Sequence, residues 1–180
     1  YKNVDFTAKN INSVIELINK ARKNEGIDIS PLRELLEKTL NEDIIRKSNK
    51  DFGLVTVWWD KKINPHPLYI EDIPNKRLID YLIASSSLPI FQLNRIDDKL
   101  FLDGMFFDNM PISLLEQKGY EDIVVIRLLD DFLGKINLNK YQNINIKTIV
   151  PSAYLGGSLN KDKDNVQKNI NLGYLDAMKA

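Results

Sequence analysis

The stretch DYLIASSSLPIFQLNRIDDKLFLDGMFFDNMPI, residues 80–112, decides the fold that this chain is expected to adopt. Apolar residues recur at helical spacing at its start, and a serine-rich loop containing a proline follows. Two short apolar runs then flank Asp97 and Asp98, which is the pattern of a β-hairpin closed by a two-residue turn. The second run ends at Asp103 and Gly104, and a proline starts a new helix. The stretch therefore predicts helix, loop, hairpin and helix in that order.

Buried strands are predicted on both sides of this stretch. FGLVTVWW (52–59) is apolar on both faces, which indicates a central strand covered by helices rather than a surface hairpin. PLYIE (67–71) is predicted to be its neighbour, joined to it by the loop DKKINPH (60–66). DIVVIRLL (122–129) and INIKTIVP (144–151) are predicted as further strands. Because helices alternate with buried strands, we expect an α/β fold with a mostly parallel sheet and helices on both faces.

Helical patterns occupy the segments between these strands. Apolar residues at helical spacing predict helices at 11–23, 75–84 and 162–179. The polar stretch 130–143 is predicted to be a loop rather than a domain boundary. We therefore expect residues 1–180 to form part of one domain with no internal boundary.

The composition excludes several classes of site. The chain has 180 residues, 43% apolar and 28% charged, which is typical of a soluble globular domain. Acidic and basic residues balance at 25 each, so no net charge favours nucleic acid. The absence of cysteine excludes disulfides and thiolate metal sites, and the single histidine, His66, excludes a multi-histidine metal site within these residues.

Taken in order, the features of residues 80–112 resemble the C-terminal half of the patatin-like phospholipase family. No single piece is specific, but the order of the pieces is specific. A helix runs into Ala84-Ser85-Ser86 and is followed by Pro89 and Phe91; a hairpin then leads to Asp103-Gly104, and Asp108-Asn109 comes before Pro111. Upstream, DISPLRELLEKTL (28–40) and DFGLVTV (51–57) fit the helix and strand that precede this block in such proteins. The strand ending at Pro151 and the terminal helix also fit, so the resemblance covers nearly the whole chain.

The resemblance implies a chemistry and a set of site residues. Patatin-like proteins are lipid acyl hydrolases that use a serine and an aspartate without histidine, and no metal or organic cofactor is implied. On the family pattern Asp103 is the catalytic aspartate and Gly104 is the supporting glycine after it. Met105 departs from the small residue usual at the third position. Because Asp103 ends an apolar run, we expect a partly buried carboxylate whose basicity is raised by burial.

The nucleophile of the family has no counterpart in these residues. No Gly-x-Ser-x-Gly sequence is present, and the nearest approach, LGGSLN (155–160) with Ser158, lacks the final glycine and follows the aspartate. The resemblance therefore implies that the serine and the oxyanion loop lie upstream of Tyr1. We expect this chain to be the C-terminal part of a bacterial parent enzyme, incomplete as a fold and inactive alone.

The expected partners follow from the same resemblance. The parent would cleave carboxylic esters of phospholipids or related lipids, and its partner would be a lipid or ester substrate rather than nucleic acid. We expect a cytoplasmic protein and leave peripheral membrane contact open. Missing strands would expose a sheet edge or an apolar face, which leaves self-association of this chain open too.

Two other functions remain as alternatives. The chain could be a non-catalytic α/β protein that binds lipids or partners, in which Asp103 is only a turn residue, since Asp-Gly is a common turn dipeptide. A conventional serine triad would need His66, but that residue lies between two prolines in a predicted loop and precedes the acid. The serines at 85–87 are expected to be loop residues, and Trp58 and Trp59 to be core residues on opposite faces of one strand.

Overall fold

The computed structural model describes residues 26–60, 62–92, 94–128, 141–156 and 162–180. Contacts divide the chain into two compact units, Tyr1–Pro111 and Ile112–Ala180. The helix predicted at 11–23, most of the loop predicted at 130–143 and Ser158 lie outside the described residues. The expectation of a single domain stays a prediction.

The first unit is built on a four-stranded antiparallel sheet. Its strands are β1 (Gly53–Trp59), β2 (Ile63–Tyr69), β3 (Asn94–Ile96) and β4 (Lys99–Asp103), in the order β2-β1-β4-β3. The prediction of a mostly parallel sheet is therefore wrong for these strands. For the pairs β1–β2 and β3–β4 the physical reason is the short connection, because parallel neighbours need a crossover of a dozen residues or more.

β1 is a central strand, as predicted, but its neighbour begins earlier than predicted. Residues 54–57 of β1 are buried between β2 and β4. β2 starts at Ile63, so His66 and its two flanking prolines belong to the strand and not to a loop. Proline cannot donate to a ladder, and it is tolerated here because β2 lies at the edge of the sheet.

The hairpin predicted around Asp97 and Asp98 is confirmed. Both residues have positive φ, +48° and +64°, which is the backbone of a two-residue type I′ turn. The turn pairs Ile96 with Lys99 and so fixes the register of β4. This register carries the chain to Asp103 at the end of β4, opposite Thr56.

Within its described residues, the first unit also has three helices and two apolar clusters. The helices are α1 (Ser30–Thr39), α2 (Glu42–Lys47) and α3 (Leu78–Ala84). One cluster joins α3 to one face of the sheet and contains Leu54, Leu68, Ile73, Leu78, Tyr81, Ala84, Ile96 and Phe101. The second contains Val57, Leu100, Leu102 and Phe106. Trp58 packs against the first cluster and Trp59 against the second, so they lie on opposite faces, as predicted.

An ion pair between Arg46 and Glu42 connects α2 to the start of α3. The two side chains are 2.7 Å apart, and each is about one-fifth exposed. Arg46 also donates to the carbonyls of Ile70 and Ile73, at 2.8 Å each. Glu42 accepts the backbone N–H of Leu78 at 3.2 Å, where α3 begins. The pair therefore satisfies backbone groups at both ends of the segment before α3.

We expect Arg46→Ala to lower the free energy of unfolding by about 2 kcal/mol, because it removes the charged partner of the mostly buried Glu42 carboxylate and the side-chain donor to the carbonyls of Ile70 and Ile73. Urea denaturation followed by circular dichroism measures the change. The control is Lys38→Ala, since Lys38 contacts Glu34 at 3.7 Å with both side chains largely exposed. Equal unfolding midpoints for the two variants would contradict the role given to Arg46.

The second unit contains a two-stranded parallel sheet, where the predicted strand direction holds. Its described elements are α4 (Ile112–Gln117), β5 (Asp122–Ile126), β6 (Asn145–Ile149) and α5 (Lys163–Lys179), with β5 beside β6. The terminal helix predicted at 162–179 is confirmed, and Asp162 caps it by accepting the N–H groups of Asp164 and Asn165. Among the helices described, none has the length and apolar content needed to cross a bilayer.

Candidate active site

Asp103 lies where β4 ends and a 3₁₀ turn, Gly104–Phe106, begins. Its side chain is half-buried, and its Oδ1 accepts the N–H of Met105 at 2.9 Å. An aspartate before a turn satisfies a free backbone donor in this way. Its own N–H donates to the carbonyl of Ser87 at 2.9 Å. The Met105 amide therefore holds the carboxylate, and the Ser87 carbonyl holds the Asp103 backbone, at the strand end where the sequence predicted this residue.

Burial raises the pKa of the Asp103 carboxyl above its usual range, and the hydrogen bond from Met105 offsets the rise only in part. A raised pKa is the direction that a general base needs, because an ordinary aspartate is too weak a base for a serine hydroxyl. The raised pKa also affects the stability of the fold, because burial disfavours the charged form of Asp103 in the folded state.

Asp103→Asn should stabilise this chain at neutral pH. A raised folded-state pKa means that the stability due to Asp103 is complete below the unfolded value, 3.8, and is lost as pH rises through the folded value. Asparagine keeps an oxygen for the Met105 N–H and carries no charge. Unfolding midpoints of the two proteins should therefore differ most near pH 7 and converge as pH falls toward 4. A native protein that is the more stable at pH 7 would contradict the raised pKa.

Gly104 is required by a close approach of two backbones. A Cβ built on Gly104 would lie 2.3 Å from the carbonyl oxygen of Val55 and 2.9 Å from the Val55 Cβ. Gly104 is not among the glycines with positive φ. Steric room beside β1, rather than a left-handed turn, is therefore the reason for glycine after the aspartate.

Met105 takes part in the site only through its backbone. Its N–H donates to Asp103, while its side chain packs against the cluster of Val57, Leu102 and Phe106. The departure from a small residue at this position therefore places a thioether in an apolar cluster. The carboxylate contact is made by an amide that almost any residue would supply.

The three serines after α3 use their hydroxyls for backbone contacts. Ser85 Oγ donates to the carbonyl of Val55 at 2.7 Å, and Ser87 Oγ donates to the carbonyl of Ile83 at 2.6 Å. Ser86 Oγ lies 3.1 Å from the carbonyl of Leu82 in its own helix. These contacts favour a structural role. The sequence indicated small polar residues here but not that two of them would connect α3 to the strands beside Asp103.

His66 is separated from Asp103 by one strand. The register places His66 opposite Thr56, and Thr56 opposite Asp103. Two strand spacings put the two backbones about 10 Å apart. The imidazole packs against the rings of Tyr81 and Phe101, with centroids 6.4 and 5.9 Å away, and burial lowers the pKa of His66. The prediction that His66 lies in a loop is wrong, and the geometry also disfavours a His66–Asp103 triad.

The remaining acidic residues of the stretch form turns. Asp108 Oδ1 accepts the N–H of Met110 at 3.0 Å, which prepares the start of α4. Asp97 and Asp98 close the hairpin. No group of three or more metal-ligating side chains occurs within the ranges that the structure describes.

The comparison with known families agrees with this geometry. A family model described as Patatin-like phospholipase matches residues 4–115, which is more than half of the chain and includes Asp103 and Gly104. No curated protein and no solved structure gives a significant match.

Proposed function

Because the chain belongs to the patatin-like phospholipase family, we propose that it forms part of a lipid acyl hydrolase in which Asp103 is the catalytic base. The observation that carries the proposal is the half-buried carboxylate of Asp103, whose pKa is raised by burial. Gly104 supports this base by letting the turn after β4 lie against β1.

The proposed reaction is ester hydrolysis through an acyl-serine intermediate. Asp103 takes the proton of a serine hydroxyl as its oxygen attacks the carbonyl carbon of a lipid ester, and the protonated acid then gives that proton to the departing alcohol. Asp103 next takes a proton from a water molecule as the water oxygen attacks the acyl carbon, and it gives that proton to the serine oxygen as the bond to the acyl group breaks and the fatty acid leaves. Backbone amides near the serine would stabilise the oxyanion.

The serine and the oxyanion donors are proposed to come from outside these 180 residues. No Gly-x-Ser-x-Gly sequence occurs among them, and the hydroxyls of Ser85, Ser86 and Ser87 are donated to backbone carbonyls. This chain alone would then supply the base and remain inactive. The parent would carry the activity.

One oxygen of the Asp103 carboxylate has no hydrogen-bond donor among the described residues. Oδ1 is occupied by the Met105 amide, while the described residues place no hydrogen-bond donor on Oδ2. A serine hydroxyl approaching Oδ2 would therefore meet an oriented acceptor that need not break an existing bond. Such orientation before reaction is a large part of catalysis.

A second function is a non-catalytic lipid- or partner-binding protein. The missing nucleophile sequence favours it, since a chain without a serine elbow cannot form the acyl intermediate by itself. Hydrolysis of a soluble short-chain ester by the full-length protein, with and without Asp103→Asn, separates the two functions. Activity that requires Asp103 supports the enzyme, and an inactive native protein supports binding.

Location and partners are proposed from the substrate class. A phospholipid substrate would be met at a membrane surface, so we propose a cytoplasmic enzyme with peripheral membrane contact. Self-association of the isolated chain is proposed from the exposed apolar residues of β5, Val124 and Ile126, which are 58% and 70% exposed.

A further inference from the structure

The end of α3 contacts both strands that hold the candidate base. Ser85 lies just after α3 and donates its hydroxyl to the carbonyl of Val55 on β1, at 2.7 Å. Two residues later, the carbonyl of Ser87 accepts the N–H of Asp103 on β4, at 2.9 Å. A single short segment therefore sets the position of β1 and of β4 at the place where the sheet pairing between them ends.

The carbonyl of Val55 needs a donor because the ladder does not supply one. Pairing of β1 with β4 begins at Thr56, so Val55 lies one residue beyond it, where the chain turns away at Gly104. A buried carbonyl without a partner is costly, and Val55 is buried. The Ser85 hydroxyl fills this position.

The same carbonyl is the surface against which Gly104 packs. A Cβ on Gly104 would lie 2.3 Å from the Val55 oxygen, so the turn after Asp103 has no steric freedom on that side. The Met105 amide that binds the Asp103 carboxylate belongs to this turn. A displacement of Val55 would therefore pass through Gly104 to the hydrogen bond that orients the carboxylate.

We propose that Ser85 is a positioning residue for the reaction: its hydrogen bond to Val55 holds β1 against Gly104 and thereby sets the place of the Asp103 carboxylate. The inference rests on the proposed function, in which Asp103 is the base. Catalysis is sensitive to small displacements, since an error of about 1 Å in a reacting group costs about 100-fold in rate.

The test uses the full-length protein and compares kcat, KM and the pH dependence of kcat for a soluble ester. We expect Ser85→Ala to lower kcat about tenfold with KM nearly unchanged, because the loss concerns the base and not the substrate pocket. Loss of the hydrogen bond should also admit water beside Asp103. The acid limb of the kcat profile should then move to lower pH.

Two further sets of variants separate the effect of the Ser85 hydroxyl from other effects of substitution. Ser86→Ala is the matched control, because Ser86 is exposed and its hydroxyl contacts only its own helix, and it should retain activity within about twofold. Ser85→Thr and Ser85→Val fill nearly equal volumes but differ in the hydroxyl. Threonine should recover most of the rate and valine should not, and this pair carries the test if the alanine variant fails to fold.

The outcomes distinguish the two proposals. If Asp103→Asn retains full activity, the proposed function is wrong. If Asp103→Asn is inactive while Ser85→Ala matches Ser86→Ala in kcat and in pH profile, the proposed function stands and the role of Ser85 is overturned. Equal rates for the threonine and valine variants would overturn it as well.

Discussion

Asp103→Asn in the full-length protein is expected to lower kcat for ester hydrolysis by about 100-fold to 10,000-fold, the usual contribution of a general base. Asparagine keeps an oxygen that can accept the Met105 N–H, so the turn at Gly104–Phe106 should be preserved. What is lost is the ability to take a proton from the nucleophile. Steady-state rates with a soluble short-chain ester measure the effect, and circular dichroism verifies the fold.

A matched control is available five residues later. Asp108 accepts the N–H of the residue two positions ahead, as Asp103 does, but it prepares the start of a helix and is given no chemical role. Asp108→Asn should therefore leave the rate within about threefold of the native value. Equal rates for native protein and Asp103→Asn would remove the base from the proposal, whereas an inactive Asp108→Asn would show that the loss of activity is not specific to the Asp103 carboxylate.

Gly104→Ala is expected to destabilise the first unit by about 3 kcal/mol, or to prevent its folding, because the added Cβ meets rigid backbone. The nearest atoms are the carbonyl oxygen and carbon of Val55, at 2.3 and 2.6 Å from an ideal Cβ. Neither atom can move without displacing β1, the central strand of the sheet. Urea denaturation of the 180-residue chain, followed by tryptophan fluorescence from Trp58 and Trp59, measures the loss.

Gly173→Ala provides the comparison for this prediction. A Cβ at Gly173 has no atom within 4 Å, and the residue lies inside α5. Alanine there should leave stability unchanged or raise it by up to about 1 kcal/mol, because alanine favours helix over glycine. A Gly104→Ala protein as stable as Gly173→Ala would show that β1 and the turn separate easily, and the steric account of Gly104 would be wrong.

Local patterns in the sequence predicted much of the fold. The sequence of β1 is apolar on both faces of the strand, which predicted a central strand. Two short apolar runs around Asp97-Asp98 predicted the hairpin and its turn. The end of that hairpin placed Asp103 at a strand terminus next to an obligatory glycine. These features depend on contacts between residues close in sequence, so composition and spacing were enough to indicate them.

The direction of the sheet and the position of β2 were not predictable in this way. Prolines around His66 indicate a loop by local preference, and only the edge position of β2 makes them compatible with a strand. Alternation of helices and strands suggested parallel pairing, but the order of strands in space is a long-range property. The strands of the parallel pair β5–β6 and those of the antiparallel sheet have similar local sequence patterns, so these patterns do not reveal the strand direction.

The sequence by itself determined which residue carries the candidate chemistry, because an aspartate after an apolar run and before glycine belongs to a recognisable ordered set. Only the tertiary structure gave the physical reason for proposing that residue as a base. Burial beneath neighbouring elements raises its pKa, and the contacts of Val55 with Gly104 and Ser85 join positions 30 to 49 residues apart. Such contacts arise from packing between elements, which residue spacing along the chain does not record.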